Sequence, residues 1–455
     1  MQHELLTEHS SVAAEAARKV YVIKDGALDE SDAPKALKEL ARLNDFSGDA
    51  GSVLVGDDGV LLGAGDGKDA LIAAAASDKL TEGQYFFAEE MDKSAATLAA
   101  FAWAIGGYRF DRYKSAKAAS AVLVAPKNAD LAAAERAAGA VAQVRDLVNT
   151  PAEDMDPAAL EEAARKLAQD HGAKINVIIG DDLLKENFPM VHAVGRAADA
   201  RPRLIDIKWG DENAPKVTLV GKGVTFDSGG LNMKGATGMS LMKKDMGGAA
   251  HALALAGMIM SAKLNLRLRV IVPAVENSVA GNSYRPSDVL SSRKGLSVEI
   301  GNTDAEGRLI LGDGLALGGE DDPELMISLA TLTGAARVAL GPEVIPFYTE
   351  DDDLAGELAA QSNAVADPVW RMPLWDNYDA MLSSQIADVS HIGGGSFAGS
   401  ITAALFLRRF TPKDCHWIHF DLYAWRPKPA PGRPAGGEAQ AIRAVYEVIA
   451  NRYPA

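Results

Sequence analysis

Through residues 1–130, short apolar runs alternate with Ala-rich stretches. The runs at 51–55, 60–62, 85–87 and 121–125 have strand length, and 70–76 and 94–105 read as helices. The alternation predicts an α/β domain. From 128 to 148 the chain is Ala-rich, carries polar residues at regular intervals and has no Pro or Gly cluster. One long helix is expected there, with Asn128 as its cap and Asn149-Thr150-Pro151 as its stop.

Beyond it the pattern changes to strands and longer helices. A helix is expected at 158–169, and strands at 174–179, 203–209, 216–220, 267–272, 296–300 and 324–329. Residues 245–262 are apolar on nearly every face and read as a buried helix. This order implies a mostly parallel central sheet flanked by helices. The expected organisation is α/β throughout: a smaller N-terminal domain at 1–128, a linking helix at 129–149 and a larger C-terminal domain at 150–455.

Composition narrows the class. The chain has 455 residues, of which 48% are hydrophobic and 24% charged, as in soluble globular proteins. It contains no run of apolar residues long enough to span a bilayer, and its polar N-terminal stretch does not read as a secretory signal. The single cysteine, Cys415, excludes an intrachain disulfide and fits a reducing compartment. A net charge of −16 disfavours nucleic acid or an anionic membrane as the main partner.

The candidate chemistry sits in two stretches, each beginning where an expected strand ends, the position at which open α/β sheets gather ligands. The first is VGKGVTFDSGG at 220–230, followed by Lys234 and MKKDM at 242–246; the second is NTDAEGRL at 302–309. Read as an extended segment, the second places Asp304, Glu306 and Arg308 on one side. Lys222, Asp227, Asp245, Asp304 and Glu306 are candidate ligands. Four carboxylates converging without a cation would repel one another, and two divalent ions would remove that conflict. The histidines show no H-E-x-x-H spacing, so a His-rich zinc site is not expected. Lys222 has two readings: a deprotonated ligand beside dications, or an ordinary ion pair with Asp227. The Gly-rich stretch lacks the phosphate-loop and dinucleotide fingerprints.

Together these stretches resemble the cytosol (leucyl) aminopeptidase family, the M17 metallopeptidases, and NTDAEGRL is close to diagnostic of it. Further similarity runs through ATLTGA (330–335), MPLW (372–375), ADVSHIGGG (387–395) and PGRPAGGEA (431–439), while GYRFDRYK (107–114) fits the end of the family's N-terminal domain. The resemblance implies a two-metal aminopeptidase that hydrolyses N-terminal residues from peptides by way of a hydroxide between the metals. Asp227 and Glu306 would bridge both ions, Asp304 would bind the looser one, and Lys222 and Asp245 the tighter one. Lys234 would stabilise the gem-diolate, and Arg308 would hold a bicarbonate base. Met242, Thr331, Leu332 and Gly334 match positions that line the pocket for the first side chain or hold the substrate amine. The resemblance also implies Mn or Zn as metals, with Mg or Co as alternatives, a cytoplasmic location, and a homohexamer built as a dimer of trimers.

Two departures stand out. Tyr423-Ala424, in WIHFDLYAW (417–425), replaces a small pair, so Tyr423 would fill part of the pocket. In MKKDMGG, Lys244 and Gly247 replace an aromatic residue and a cysteine. Among the remaining polar residues, His419 and Asp421 are expected to form a hydrogen-bonded core pair, His251 to be structural, and Asp351–Asp353 to start a helix. The rival readings are a two-metal phosphoesterase, a DNA-binding regulator and an inactive scaffold.

Overall fold

The computed structural model describes residues 5–455; the first four residues, where the polar N-terminal stretch and the N-terminal domain begin, lie outside it. The chain divides into two units. One holds the N-terminal part through Ala142 together with Ala364–Ala366 and Arg426–Ala435; the other holds Gln143–Asn363, Asp367–Trp425 and Gly436–Ala455.

The first unit has a six-stranded sheet in the order Leu6–Thr7, Ala121–Val124, Gly83–Phe87, Arg18–Lys24, Gly59–Gly65, Val53–Gly56. All pairings are parallel except the last. The strand Arg18–Lys24 and the helix Lys35–Leu43 were not expected, because charged residues interrupt both apolar patterns. The long helix runs Leu131–Asn149. Asp130, rather than Asn128, caps it by accepting the Ala133 N–H at 3.0 Å.

The second unit is built on nine strands: β1 (Lys174–Ile179), β2 (Arg203–Trp209), β3 (Lys216–Gly221), β4 (Gly223–Asp227), β5 (Arg267–Asn277), β6 (Leu325–Ala330), β7 (Ile345–Tyr348), β8 (Val369–Arg371) and β9 (His416–Asp421). The sheet order is β8-β7-β9-β6-β3-β5-β2-β1, with β4 added onto β5. The centre, β9-β6-β3-β5, is parallel; β2 and β1 continue it antiparallel on one side and β7 on the other. Its helices include α1 (Pro157–His171), α2 (Pro189–Gly195), α3 (Gly247–Ser261), α4 (Glu306–Gly319), α5 (Gly334–Leu340), α6 (Gly399–Arg408) and α7 (Ile442–Arg452).

β6 is buried at every position and β3 at all but its first, which suits strands covered on both faces. One face carries α3 with α1 and α7; the other carries α4 with α2 and α6. On the α4 face, Leu309, Ile310, Leu311 and Leu315 join Val220, Ile271 and Met326 in one apolar core. Each such buried side chain contributes about 1.5–3 kcal/mol relative to exposure. Helix α3 is apolar all round and almost wholly buried.

Two expectations change. The strand near 296–300 is Ser297–Glu299, and it belongs to a separate three-stranded sheet rather than the central one. Residues 302–309 are not extended. Thr303–Ala305 form a 3-10 turn and Glu306 opens α4, because the Asn302 side chain accepts the Asp304 N–H at 2.8 Å and starts the chain turning. Among the described residues, no helix is long and apolar enough to cross a membrane.

Candidate metal centre

Three separated stretches supply the site. Lys222 is the single residue between β3 and β4, and Asp227 ends β4. Asp245 lies in the 3-10 turn Met242–Met246 that leads into α3. Asp304 and Glu306 stand at the entry to α4. Backbone hydrogen bonds hold Lys222 between elements: its N–H donates to Leu329 O at 2.9 Å, and its carbonyl accepts the Ala249 N–H at 2.8 Å. Helix α4 can approach this residue because position 307 is glycine. A Cβ on Gly307 would lie 2.5 Å from Lys222 Cε and 2.7 Å from its Nζ.

Asp227, Asp245 and Glu306 are all buried, and each offers a carboxylate oxygen within 4.8 Å of the others. Lys222 Nζ contacts Asp245 Oδ2 at 2.7 Å and Glu306 Oε1 at 2.9 Å, and donates to Thr331 O at 2.9 Å. Lys234 Nζ reaches Asp227 Oδ2 at 2.7 Å and also pairs with Asp304 Oδ1. Asp304 is therefore tied to the buried trio through Lys234.

The four carboxylates outnumber the two ammonium groups. Burial, then the charges of Asp227 and Asp245, push Glu306 up to about 8 despite Lys222. Burial and Asp227 raise Asp304 to about 6 against the pull of Lys234. Asp245 goes the other way: burial opposes ionisation, but Lys222, Lys244 and the Thr331 hydroxyl outweigh it. Burial would depress both lysines, yet the surrounding carboxylates hold them above the usual lysine range.

Neutral groups brace the acids. Asp227 Oδ1 accepts the Gly229 N–H at 2.9 Å and Asn277 Nδ2 at 2.8 Å. Gly229 takes φ +87°, a conformation that favours glycine. Thr331 Oγ1 donates to Asp245 Oδ1 at 2.7 Å. Thr303 Oγ1 bonds Gly229 O at 2.6 Å, and the Thr303 carbonyl accepts from Asn277 and from the Tyr284 hydroxyl. The Gly-rich stretch after β4 is thereby fastened to the entry of α4.

Arg308 is buried and gives one N–H to the His391 carbonyl at 2.7 Å, while its Nε has no hydrogen-bond partner. Burial lowers its pKa to about 10, with Asp421 and Glu306 opposing. Burial and the Arg308 charge lower the His391 pKa to about 3; its Nε2 lies 2.9 Å from Asn302 O, and its Nδ1 lies 3.1 Å from both Gly301 N and Glu299 O.

The structure brings together Lys222, Asp227, Lys234, Asp245, Asp304, Glu306 and Thr331, with Arg308 in the same helical turn as Glu306. The other sequence candidates stand beside this group. Met242 begins the Asp245 turn. The Leu332 N–H bonds Asp421 Oδ1 at 3.0 Å, and Gly334 opens α5. Tyr423 is partly buried beneath Lys244 Nζ and the Arg337 guanidinium, 5.3 and 5.1 Å from its ring centre. His419 and Asp421 do not pair as expected. The Ser328 hydroxyl lies 2.9 Å from His419 Nδ1, while Asp421 binds the Thr333 hydroxyl and the Leu332 and Thr333 N–H groups. His251 is structural, with its ring bonding Gly247 O and Gln440 N. Asp351 caps the helix Asp352–Ala364 through the Leu354 N–H at 2.9 Å.

Sequence reasoning missed Asn277, Thr303, Tyr284 and Gly307. Thr303 and Gly307 lie inside NTDAEGRL, so that motif carried their signal; Asn277 and Tyr284 have none nearby. The donor set fits hard or borderline divalent cations: carboxylate oxygens and one amine, with Glu306 Oε2 buried and unpartnered.

Comparison with known proteins agrees with this geometry. The cytosol aminopeptidase family, catalytic domain, matches residues 142–446, and the M17 aminopeptidase N-terminal domain matches 29–126. A protein named probable cytosol aminopeptidase from Syntrophotalea carbinolica is 39% identical over 76% of this chain and 73% of its own length. Another of that name, from Stenotrophomonas maltophilia, is 44% identical over 67% of this chain and 63% of its own length. The crystal structure of cytosol aminopeptidase from Coxiella burnetii matches with a TM-score of 0.93 at 40% identity, covering 99% of this chain and 100% of that one. The bottromycin maturation enzyme BotP in complex with Mn matches at 0.86 and 31% identity, covering 96% of this chain and 99% of that one.

Proposed function

The chain belongs to the cytosol aminopeptidase family, the M17 metallopeptidases, a family of hydrolases, and on that premise we propose that it removes N-terminal residues from peptides at the Lys222–Asp227–Asp245–Asp304–Glu306 site. One observation carries the reading: ligand-type residues from three separated stretches converge in a buried cluster where carboxylates outnumber cations and Glu306 Oε2 has no partner. Such a cluster is poor packing and good coordination.

Lys222, Asp227, Asp245, Asp304 and Glu306 would hold two divalent ions, which supply an acidified water and Lewis acidity. Mn or Zn suits the donors best, with Mg or Co possible. Dications reverse the local field that keeps Lys222 charged, which allows its amine to act as a ligand. With Asp227 and Asp304 engaged, the Lys234 ammonium turns to the oxyanion that develops on the scissile carbonyl; such a contact is worth about 3–4 kcal/mol. The free α-amine of the peptide, as a neutral donor, would be held at the loaded ion site, which would keep cleavage at the N-terminus. Arg308, whose buried Nε has no hydrogen-bond partner, holds an anionic base such as bicarbonate. Met242, Thr331, Leu332, Gly334 and Tyr423 form the wall met by the first side chain. The same reading includes a cytoplasmic setting, a hexamer and chemistry confined to the 150–455 domain, with 1–128 separate and 129–149 as the connector.

Release of amino acids from aminoacyl anilides and dipeptides, at defined metal loading, tests this. Asp304→Ala is expected to lose one metal per chain and all turnover. Arg308→Ala is expected to keep both metals while kcat falls about 10²–10⁴-fold, the range of a lost acid–base group. Full activity in either variant, or phosphate-ester hydrolysis in place of peptidase activity, rejects the proposal.

A further inference from the structure

The corner around Tyr423 carries more than a narrowed pocket. Lys244 and Arg337 both converge on its ring, at 5.3 and 5.1 Å from the centre. Lys244 is only 5% exposed, and among the described residues neither cation has a carboxylate within ion-pair distance. Two cations gathered on one ring repel each other, and the face of a tyrosine offsets that only in part. Asp245 attracts Lys244 without pairing with it, and Asp245 itself pairs with Lys222, so an anion brought between Lys244 and Arg337 would offset the cost of burying the ammonium.

The backbone holds this corner in place. Ala424 adopts φ +54°, unusual for a residue with a side chain. Gln440 Oε1 pins it by accepting the N–H groups of Tyr423 at 3.2 Å and Ala424 at 2.7 Å. Gly247 leaves room for Ala424, since a Cβ there would come within 2.5 Å of Ala424 Cβ. The corner also adjoins the metal centre. Lys244 precedes Asp245, Thr331 bonds Asp245, and the Arg337 guanidinium lies 3.8 Å from where a Gly334 side chain would begin.

Acids and cations thus stand on adjoining segments, Asp245 following Lys244 directly and Thr331 bridging toward Gly334 and Arg337. An N-terminal residue held by its amine at the loaded ion site beside Asp245 would have Lys244 and Arg337 within reach of its side chain. We infer that Lys244, Arg337 and Tyr423 select peptides whose N-terminal residue is acidic, the side-chain carboxylate lying between the two cations. This rests on the aminopeptidase reading above and specifies its substrate class.

The test compares Glu-, Gln-, Asp-, Asn- and Leu-p-nitroanilides on the metal-loaded enzyme. Glu and Gln have the same shape, so their ratio of kcat/KM isolates charge. The expected wild-type ratio is about tenfold or more in favour of Glu, as for a charge-assisted contact. In Arg337→Gln and in the near-isosteric Lys244→Met the ratio should fall toward unity, mainly through KM for acidic substrates. Raising ionic strength should lower it in the wild type. A wild-type ratio at or below unity, with Leu or Gln substrates turned over, overturns this inference and leaves the peptidase reading standing. A high ratio that persists in both variants also overturns it. Failure to release any amino acid overturns the peptidase reading itself.

Discussion

Glu306 and Thr331 illustrate how single residues act here. Glu306 is a carboxylate kept from ionising by burial and by its acidic neighbours, so a cation would be its natural complement. Thr331 touches no more than one acid, yet its hydroxyl fixes which way Asp245 faces. Replacing it with valine removes that hydrogen bond and retains the shape. Thr331→Val is expected to weaken metal affinity about 10–100-fold, as loss of a bracing contact does, with the fold intact; calorimetric titration with Mn or Zn measures it. The acids and lysines could be read from sequence because their chemistry is local to two short motifs. Asn277 and Tyr284 could not. They act on Asp227 and on the Thr303 carbonyl from positions distant in sequence, and nothing about a lone Asn or Tyr marks such a contact.

Among the elements, the segment 302–309 marks the limit of pattern reading. Its i, i+2 charges suit a strand, but the Asp304 N–H donating to the Asn302 side chain and the apolar run after Glu306 favour a 3-10 turn and a helix. The candidate residues still converge, because the turn sets Asp304 and Glu306 against different neighbours rather than on a common face. Strand periodicity located the central sheet well; Lys174–Ile179 and Arg203–Trp209 run as expected. What periodicity does not contain is the closeness of α4 to Lys222. Gly307→Ala is expected to push Lys222 from its pairs, abolish metal binding and destabilise the protein by about 1–3 kcal/mol. Chemical denaturation together with metal content checks both effects. A fully loaded, fully stable variant would contradict the proposed packing.

Across the whole molecule, buried histidines link stability to acid. His251 donates from Nδ1 to Gly247 O and accepts the Gln440 N–H at Nε2, an arrangement that requires the neutral ring. Burial lowers its pKa to about 4, although Gly247 and Asp367 pull the other way. The unfolded chain therefore binds a proton first as pH falls below the ordinary histidine value of about 6.5. The stability owed to this group is full above that value and is lost as pH falls toward 4. His251→Gln is expected to be less stable at pH 7 and to lose less of its stability between pH 6.5 and 4, as urea unfolding at several pH values will measure. The distribution of Lys222, Asp227, Asp245, Asp304 and Glu306 over separate stretches has a further consequence during synthesis. A ribosome adding about 5–20 residues per second leaves Lys222 waiting several seconds for Glu306 to emerge. No nascent fragment short of α4 holds all five of the proposed ligands. On the proposed reading, the peptidase would stay inert until α4 has been made.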